Sequence, residues 1–296
     1  MTILSLVFPM TRRLFHGWLI KGIIPLAIAC MSSVTYGQQA TFLSQSELGL
    51  SLGQMYYIGD LNPYVPFYRS QWAFSLMYRY NVFTRMSLRF NYTQGSVEAN
   101  DQDASNPIRI NRNLNFQSDI KEVAGGIEFY YTSFYFGRTN GKKKVQGTAY
   151  LLAQMGMFYM NPTTTLNGET VALRPLGTEG QGTSLSNKGT YSNFQLCLPL
   201  GVGAKAQIGK NVTLNIDLAI RKTFTDYLDD VKSSSYADPN VLAQANGEQA
   251  ALLSNRSLDQ SRHGYRGNPS TKDWYVYTGA MVSVRLGRGR KCFQLH

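Results

Sequence analysis

Hydrophobic and polar residues alternate with a period of two in eight separate stretches, the pattern of β-strands whose two faces meet different surroundings. In Glu47 to Asp60, Leu48, Leu50, Leu52, Tyr56 and Ile58 share one face, against Glu47, Gly49, Ser51 and Gly53. Gln71 to Phe83 sets Trp72, Phe74, Leu76, Tyr78 and Tyr80 against Gln71, Ala73, Ser75, Arg79 and Asn81. Arg85 to Thr93 sets Met86, Leu88, Phe90 and Tyr92 against Arg85, Ser87, Arg89, Asn91 and Thr93. The fourth stretch opposes Val123, Gly125, Ile127, Phe129 and Tyr131 to Glu122, Ala124, Gly126, Glu128 and Tyr130. Tyr150 to Met160 is apolar on both faces, and Gln154 and Gly156 decide that Leu151, Ala153, Met155, Met157 and Tyr159 point outward. Phe194, Leu196, Leu198, Leu200, Val202, Ala204 and Ile208 oppose Asn193, Gln195, Cys197, Gly201, Gly203, Lys205 and Gln207. Val212, Leu214, Ile216, Leu218 and Ile220 oppose Thr213, Asn215, Asp217, Ala219 and Arg221. Asp273 to Arg285 closes the series, with Trp274, Val276, Ala280, Val282 and Val284 against Tyr275, Tyr277, Gly279, Ser283 and Arg285.

The chemistry of the faces says which is inside. The polar face is rich in Gly, Ala and Ser with a few Arg and Glu, which suits a narrow lumen. The other face carries Leu, Val and aromatics with almost no charge, which suits lipid. In lipid only a closed barrel satisfies every strand edge. Connections alternate in length: Leu61 to Ser70, Gln94 to Ile120, Asn161 to Ser192 and Thr225 to Lys272 are long, and the second, fourth and sixth are short, with Gly209-Lys210 the tightest. The pattern predicts an all-β fold, an eight-stranded antiparallel transmembrane β-barrel with short periplasmic turns, long external loops and both termini in the periplasm. Trp72, Tyr92, Phe224 and Trp274 fall near the external strand ends and Tyr80 and Tyr131 near the periplasmic ends, as two aromatic girdles.

The N-terminus narrows the setting. Arg12, Arg13 and Lys21 precede an apolar run from Gly22 to Cys30 and a small, polar stretch ending Thr35-Tyr36-Gly37, the order of a secretory signal peptide. The expected organisation is a signal peptide at 1–37, with translation starting at Met1 or Met10, an outer-membrane barrel at 38–287 and a basic periplasmic tail at 288–296. Cys30 raises a lipoprotein reading, but Ala27 is a poor match to the Leu usual three residues before a lipidated Cys, so ordinary cleavage is favoured. The 296 residues carry 29 Lys+Arg against 18 Asp+Glu, a formal +11. Cleavage removes three cations and no acid, leaving +8. At 16% charged and 12% aromatic residues the chain is not disordered, three Cys make no disulfide scaffold, and a mean hydropathy of −0.23 excludes a bundle of membrane helices. A secreted chain without zinc spacing, RNP-like stretch or basic helix is not expected to bind nucleic acid.

Candidate chemistry is sparse. The lumen is expected to hold Arg79, Arg85, Arg89, Lys205, Arg221 and Arg285 with Glu47, Glu122, Glu128 and Asp217. An ion path is one reading; a pairing network that fills the lumen is the favoured one. Asp259, Ser261 and His263 lie close in sequence, yet nothing sets them in triad geometry, so no catalytic residue is expected. Asp226, Asp229, Asp230 and Asp238 lack the spacing of a calcium loop and read as a solvated, hydrogen-bonded cluster, so no metal or other cofactor is expected. Cys197 points into the lumen and Cys292 lies in the tail, an implausible pair for a bridge. Lys121 and Lys222 are outward cations near the external ends, placed either to snorkel into the interface or to meet lipopolysaccharide phosphates. On the periplasmic side Arg138, Lys142, Lys143 and Lys144 join Arg288, Arg290 and Lys291 of the tail, a cationic face for anionic headgroups or an acidic protein partner.

Three stretches carry a resemblance. Ser46-Glu47-Leu48-Gly49 through Tyr57-Ile58-Gly59-Asp60-Leu61-Asn62-Pro63 forms an opening strand and turn. Phe158-Tyr159-Met160-Asn161-Pro162 sits centrally. Arg221-Lys222-Thr223-Phe224-Thr225-Asp226-Tyr227-Leu228-Asp229-Asp230-Val231 is followed by Ser254-Asn255-Arg256 and Arg266-Gly267-Asn268. Together they resemble the PorG-like outer-membrane barrels of type IX protein secretion and a wider group of related barrels, over essentially the whole mature chain. The resemblance implies a non-enzymatic part of a secretion machine, associated on its periplasmic side with a ring built from a lipoprotein and a partner subunit. The alternative is a structural or surface-binding barrel with no secretion role.

Overall fold

The computed structural model describes residues 45–134, 146–186, 189–261 and 265–287. Among them nine strands form: β1 (Ser46–Ile58), β2 (Gln71–Phe83), β3 (Met86–Asn100), β4 (Asn115–Tyr130), β5 (Gly147–Leu166), β6 (Glu169–Ala172), β7 (Phe194–Gln207), β8 (Val212–Thr223) and β9 (Trp274–Arg285). Eight of them close an antiparallel barrel in the order β1-β2-β3-β4-β5-β7-β8-β9, with β9 pairing back onto β1 and β4 onto β5. β6 is an addition, a short hairpin arm that pairs only with the far end of β5.

The faces are sorted as the alternation predicts. Leu50, Leu52, Trp72, Val123, Leu151, Met155 and Ile216 are exposed on the outside, while Ser51, Ser75, Arg79, Glu128 and Asn215 are buried in the lumen. An outer surface of bulky apolar side chains around a polar interior is stable only where the outside solvent is itself apolar. Eight strands leave a bore that side chains fill, so lumen residues are small where a large neighbour crosses it. Gly203 is such a place: a Cβ there would come 2.3 Å from the Tyr150 ring.

Two expectations about connections need correction. The tightest turn is Thr84-Arg85 between β2 and β3, not Gly209-Lys210. The connection between β4 and β5, from 131 to 146, is longer than the β1–β2 loop from 59 to 70. Ser133 stands where the alternation of β4 would require the next outward apolar residue.

A larger difference lies at the end of the long loops. β3, β4 and β5 run well past Thr93, Glu122 and Met160, where the period-two reading stops or starts. Their pairing continues without a break through Val97↔Ser118, Ala99↔Phe116 and Gln117↔Thr163. Along these extensions the polarity of the faces is inverted. Val97, Ala99, Phe116 and Ile120 are buried inside, and Glu98, Gln117 and Thr163 face out. Lipid rewards apolar residues outside and water rewards them inside, so the inversion marks where the strands leave the apolar belt.

Above that level the long connections fold into a cap. Residues 101–114 carry α1 (Pro107–Arg112), whose first turn is capped by the Asn106 side chain and whose end is closed by Asn113 at φ 57°. Residues 224–273 carry α2 (Pro239–Asn246) and α3 (Glu248–Ser254), with Asp238 capping α2. Pro at the first helical position costs nothing there, because that N–H has no helical partner. A single apolar cluster joins cap and barrel mouth: Leu61, Leu114, Leu173, Leu228, Val231 and Leu253 pack with Met55, Tyr57, Phe158 and Tyr275. The loop between β1 and β2 also folds down the outside, where Phe67 packs on Tyr56 at 5.1 Å between ring centroids.

Candidate functional site

The lumen strands place four cations among four carboxylates. Arg79 on β2 pairs with Glu47 on β1 at 2.8 Å and with Glu128 on β4 at 2.7 Å. Arg89 on β3 pairs with the same Glu128 at 2.7 Å and with Asp217 on β8 at 2.6 Å. Lys205 on β7 reaches Glu47 at 3.5 Å, and nearer the loop end Arg221 on β8 meets Glu122 on β4 at 3.2 Å. All eight side chains are buried. Removing a charge from water costs several kcal/mol unless its partners replace the lost solvation, so each is surrounded by further donors and acceptors. Asn81 donates to Glu47 at 2.7 Å, Asn215 accepts from Arg79 at 3.3 Å, Tyr275 donates to Glu122 at 2.6 Å, and the Tyr150 hydroxyl donates to Asp217. Lys205 donates to the Tyr130 hydroxyl at 3.1 Å and lies 4.0 Å over the Phe134 ring.

One expected lumen cation stands elsewhere, and another lies at the end of the lumen. Arg85 occupies the β2–β3 turn rather than a strand, so alternation does not govern it. It is exposed, donates to the carbonyls of Tyr131 at 2.6 Å and Tyr130 at 3.3 Å, and stacks outside over the Phe129 ring at 5.5 Å. Arg285 keeps the inward parity, opposite Glu47 in register, but sits half-buried at the rim where β9 ends. The tyrosines and asparagines that complete the network carry no charge, and a search for paired charges passes over them.

The cap holds a second network. Arg112 pairs with Asp101 at 2.6 Å and donates to the carbonyls of Arg266 at 2.6 Å and Asp60 at 3.2 Å. Arg266 pairs with Glu179 at 2.5 Å and donates to Thr178 and to the carbonyls of Asp230 and Ser254. Two guanidiniums thereby tie together all four long connections. The Tyr57 hydroxyl lies within hydrogen-bond distance of both Asp229, at 2.6 Å, and Asp273, at 2.9 Å.

The aspartates of the longest loop are not a solvated cluster. Asp226, Asp229 and Asp230 are buried, each turned to its own partner: Lys272 at 3.2 Å, Tyr57, and Tyr191 at 2.6 Å. Asp238 spends its carboxylate on α2. Among the described residues no group of three or more His, Cys, Asp or Glu is arranged to hold a metal ion. Burial lifts Asp60 and Asp230 to about 6 and Asp229 and Asp273 well above the ordinary carboxylate range, the last two also repelled by neighbouring carboxylates. Asp259 is held down to about 2 by hydrogen bonds from Ser261 and Asn111. His263 lies outside the described residues.

Of the outward cations, Lys222 sits 5.7 Å over the Trp274 ring and Lys121 is exposed. Cys197 is buried in the lumen beside Tyr275 and Glu122. The basic residues Arg138, Lys142, Lys143, Lys144, Arg288, Arg290 and Lys291, with Cys292 and the signal segment, lie outside the described residues.

The profile of a family described as Domain of unknown function (DUF6089) matches residues 26–175. Comparison with curated protein sequences gives no match. Among solved structures, the chain is similar to Neisserial surface protein A, at 9% identity and a TM-score of 0.38, covering 82% of this chain and 97% of that one. It is also similar to Ail, the attachment invasion locus protein of Yersinia pestis, at 11% identity and a TM-score of 0.34, covering 81% and 95%. A major outer membrane protein from Thermus thermophilus matches at 12% identity and a TM-score of 0.34, covering 81% and 98%. At that identity and TM-score none of them bears on what this chain does.

Proposed function

The chain belongs to the DUF6089 family, and we propose that it is an integral outer-membrane barrel serving type IX protein secretion as a scaffold, not as a conduit. The observation that carries the scaffold reading is the lumen, crossed by buried, mutually paired side chains from opposite walls. A passage for protein would need that network dismantled, and opening it would leave several buried charges unpaired at once. The outward apolar belt supports the membrane setting, and in the proposed orientation the end that carries the β2–β3 and β7–β8 turns and the termini faces the periplasm.

The secretion role itself rests on the sequence resemblance. Within it, the cations of the β4–β5 connection and the tail dock an acidic periplasmic partner, a ring of lipoprotein and partner subunit, and Lys121 and Lys222 meet lipopolysaccharide phosphates at the opposite rim. Deleting the gene tests the role: export of type IX cargo is expected to stop and to return with the wild-type gene, and normal export in the deletion strain would refute it.

A second reading is favoured by the cap. Its buried Arg112 and Arg266 order four loops into one body, as a binding surface requires. Partner cross-links confined to those loops, with none at the turns, would establish this reading instead.

A further inference from the structure

Arg85 is turned out of the barrel beside a groove that nothing in the secretion role uses. The groove has a volume of about 310 Å³ and is lined by Phe129, Tyr131, Ala149, Leu151 and Val202 with Arg85 at its edge. Its origin is a sequence irregularity in the outer belt. Ala149 on β5 and Ala204 on β7 are register partners, both outward and both small. Around that dent stand Leu151 opposite Val202, Phe129 opposite Leu151, and Tyr131, which is 77% exposed.

The guanidinium is fixed rather than free to wander. Its Nε and Nη2 donate to the Tyr130 and Tyr131 carbonyls and its Cζ lies over the Phe129 ring. Among the described residues Nη1 has no partner, so one donor edge of a full positive charge is presented at the rim. An apolar dent continuous with the lipid-facing belt, ending at a positioned cation, fits one kind of occupant: a molecule with an alkyl chain and an anionic head a few ångströms away.

We infer that this groove binds a glycerophospholipid of the periplasmic leaflet, its acyl chain over Ala149 between Leu151 and Tyr131 and its phosphate on Arg85. The inference rests on the membrane setting and orientation proposed above. The turn end places the site at the inner leaflet, so the occupant is a phospholipid and not lipopolysaccharide.

The test is native mass spectrometry of the full chain extracted from outer membranes in mild detergent. Wild-type protein is expected to retain one phospholipid. Arg85→Gln and the groove-filling Ala149→Leu are each expected to retain about tenfold less, the loss of one charge-assisted contact or of the chain's seat. Leu50→Ala, on the belt away from the groove, should change nothing. Unchanged retention in both groove variants overturns the inference, as does equal loss with Leu50→Ala, which would mean unspecific belt lipid. Wild-type protein that comes from the outer membrane but carries no phospholipid overturns the inference alone. Protein found outside the outer membrane overturns the functional reading with it.

Discussion

Arg89 on β3 and Asp217 on β8 meet at 2.6 Å from strands that stand opposite each other in the eight-strand ring. The pair spans the lumen, and Glu128 and Tyr150 join it from the walls between. Arg89→Ala or Asp217→Ala leaves a buried partner charge unmatched and is expected to destabilise the barrel by about 3–5 kcal/mol. The double variant should cost less than the sum of the two. Urea unfolding followed by the gel-mobility change of folded against unfolded barrel measures both, and additive losses would show that the pair is not coupled.

Gly203 makes room for the Tyr150 ring that completes this crossing. Gly203→Ala forces the ring or the strand to move, at a cost of about 1–3 kcal/mol. Combining it with Tyr150→Ala should remove most of that cost. The same unfolding assay decides it, and a neutral Gly203→Ala would show that the strand wall yields.

Arg112 and Arg266 should govern the cap and not the barrel. Arg112→Gln leaves Asp101 buried without its cation, and Arg266→Gln does the same to Glu179. Each is expected to cost the cap about 3–5 kcal/mol and to open the long loops to protease. The barrel core should stay resistant with unchanged gel mobility. Loss of the whole barrel would place these arginines in its folding instead.

The cap is expected to tighten in mild acid. Asp60, Asp229, Asp230 and Asp273 hold protons more tightly folded than unfolded, so stability is gained as pH falls through about 6 toward the ordinary carboxylate value of ~3.9. Below about 4 the trend should reverse, because Asp103 and Asp259 lie below the ordinary range and lose their partners on protonation. Protease cleavage of the long loops, scored against pH with an acid-tolerant enzyme, should be slowest near about pH 4. A monotonic rise in resistance toward about pH 8 would contradict this.

The barrel belt is legible in the sequence because a single rule governs it: Leu76, Phe90, Leu151 and Leu218 face lipid and Ser75, Arg89, Leu152 and Asp217 do not. β2 runs from Gln71 to Phe83 as the alternation predicts. The rule fails where the surroundings change. Past Thr93 the strand continues, but water replaces lipid, so Val97 and Ala99 carry the apolar face inward and the stretch reads as a loop. Arg85 escapes the rule because strand parity does not extend into a turn. The cap is hidden for another reason: Arg112 and Asp101 lie 11 residues apart and Arg112 and Arg266 lie 154 apart, and nothing local announces either contact.

The proposed anchoring of a periplasmic partner is open to a direct experiment. A photo-cross-linking residue placed at Lys142, Lys143 or Lys144 in intact cells, followed by identification of the adduct, tests it most directly. A covalent adduct with a net-acidic periplasmic protein is expected at one or more of these positions, and is expected to be lost when the two remaining lysines and Arg138 are changed to Glu. Adducts with lipid alone, or protein adducts found only from the long loops, would contradict it.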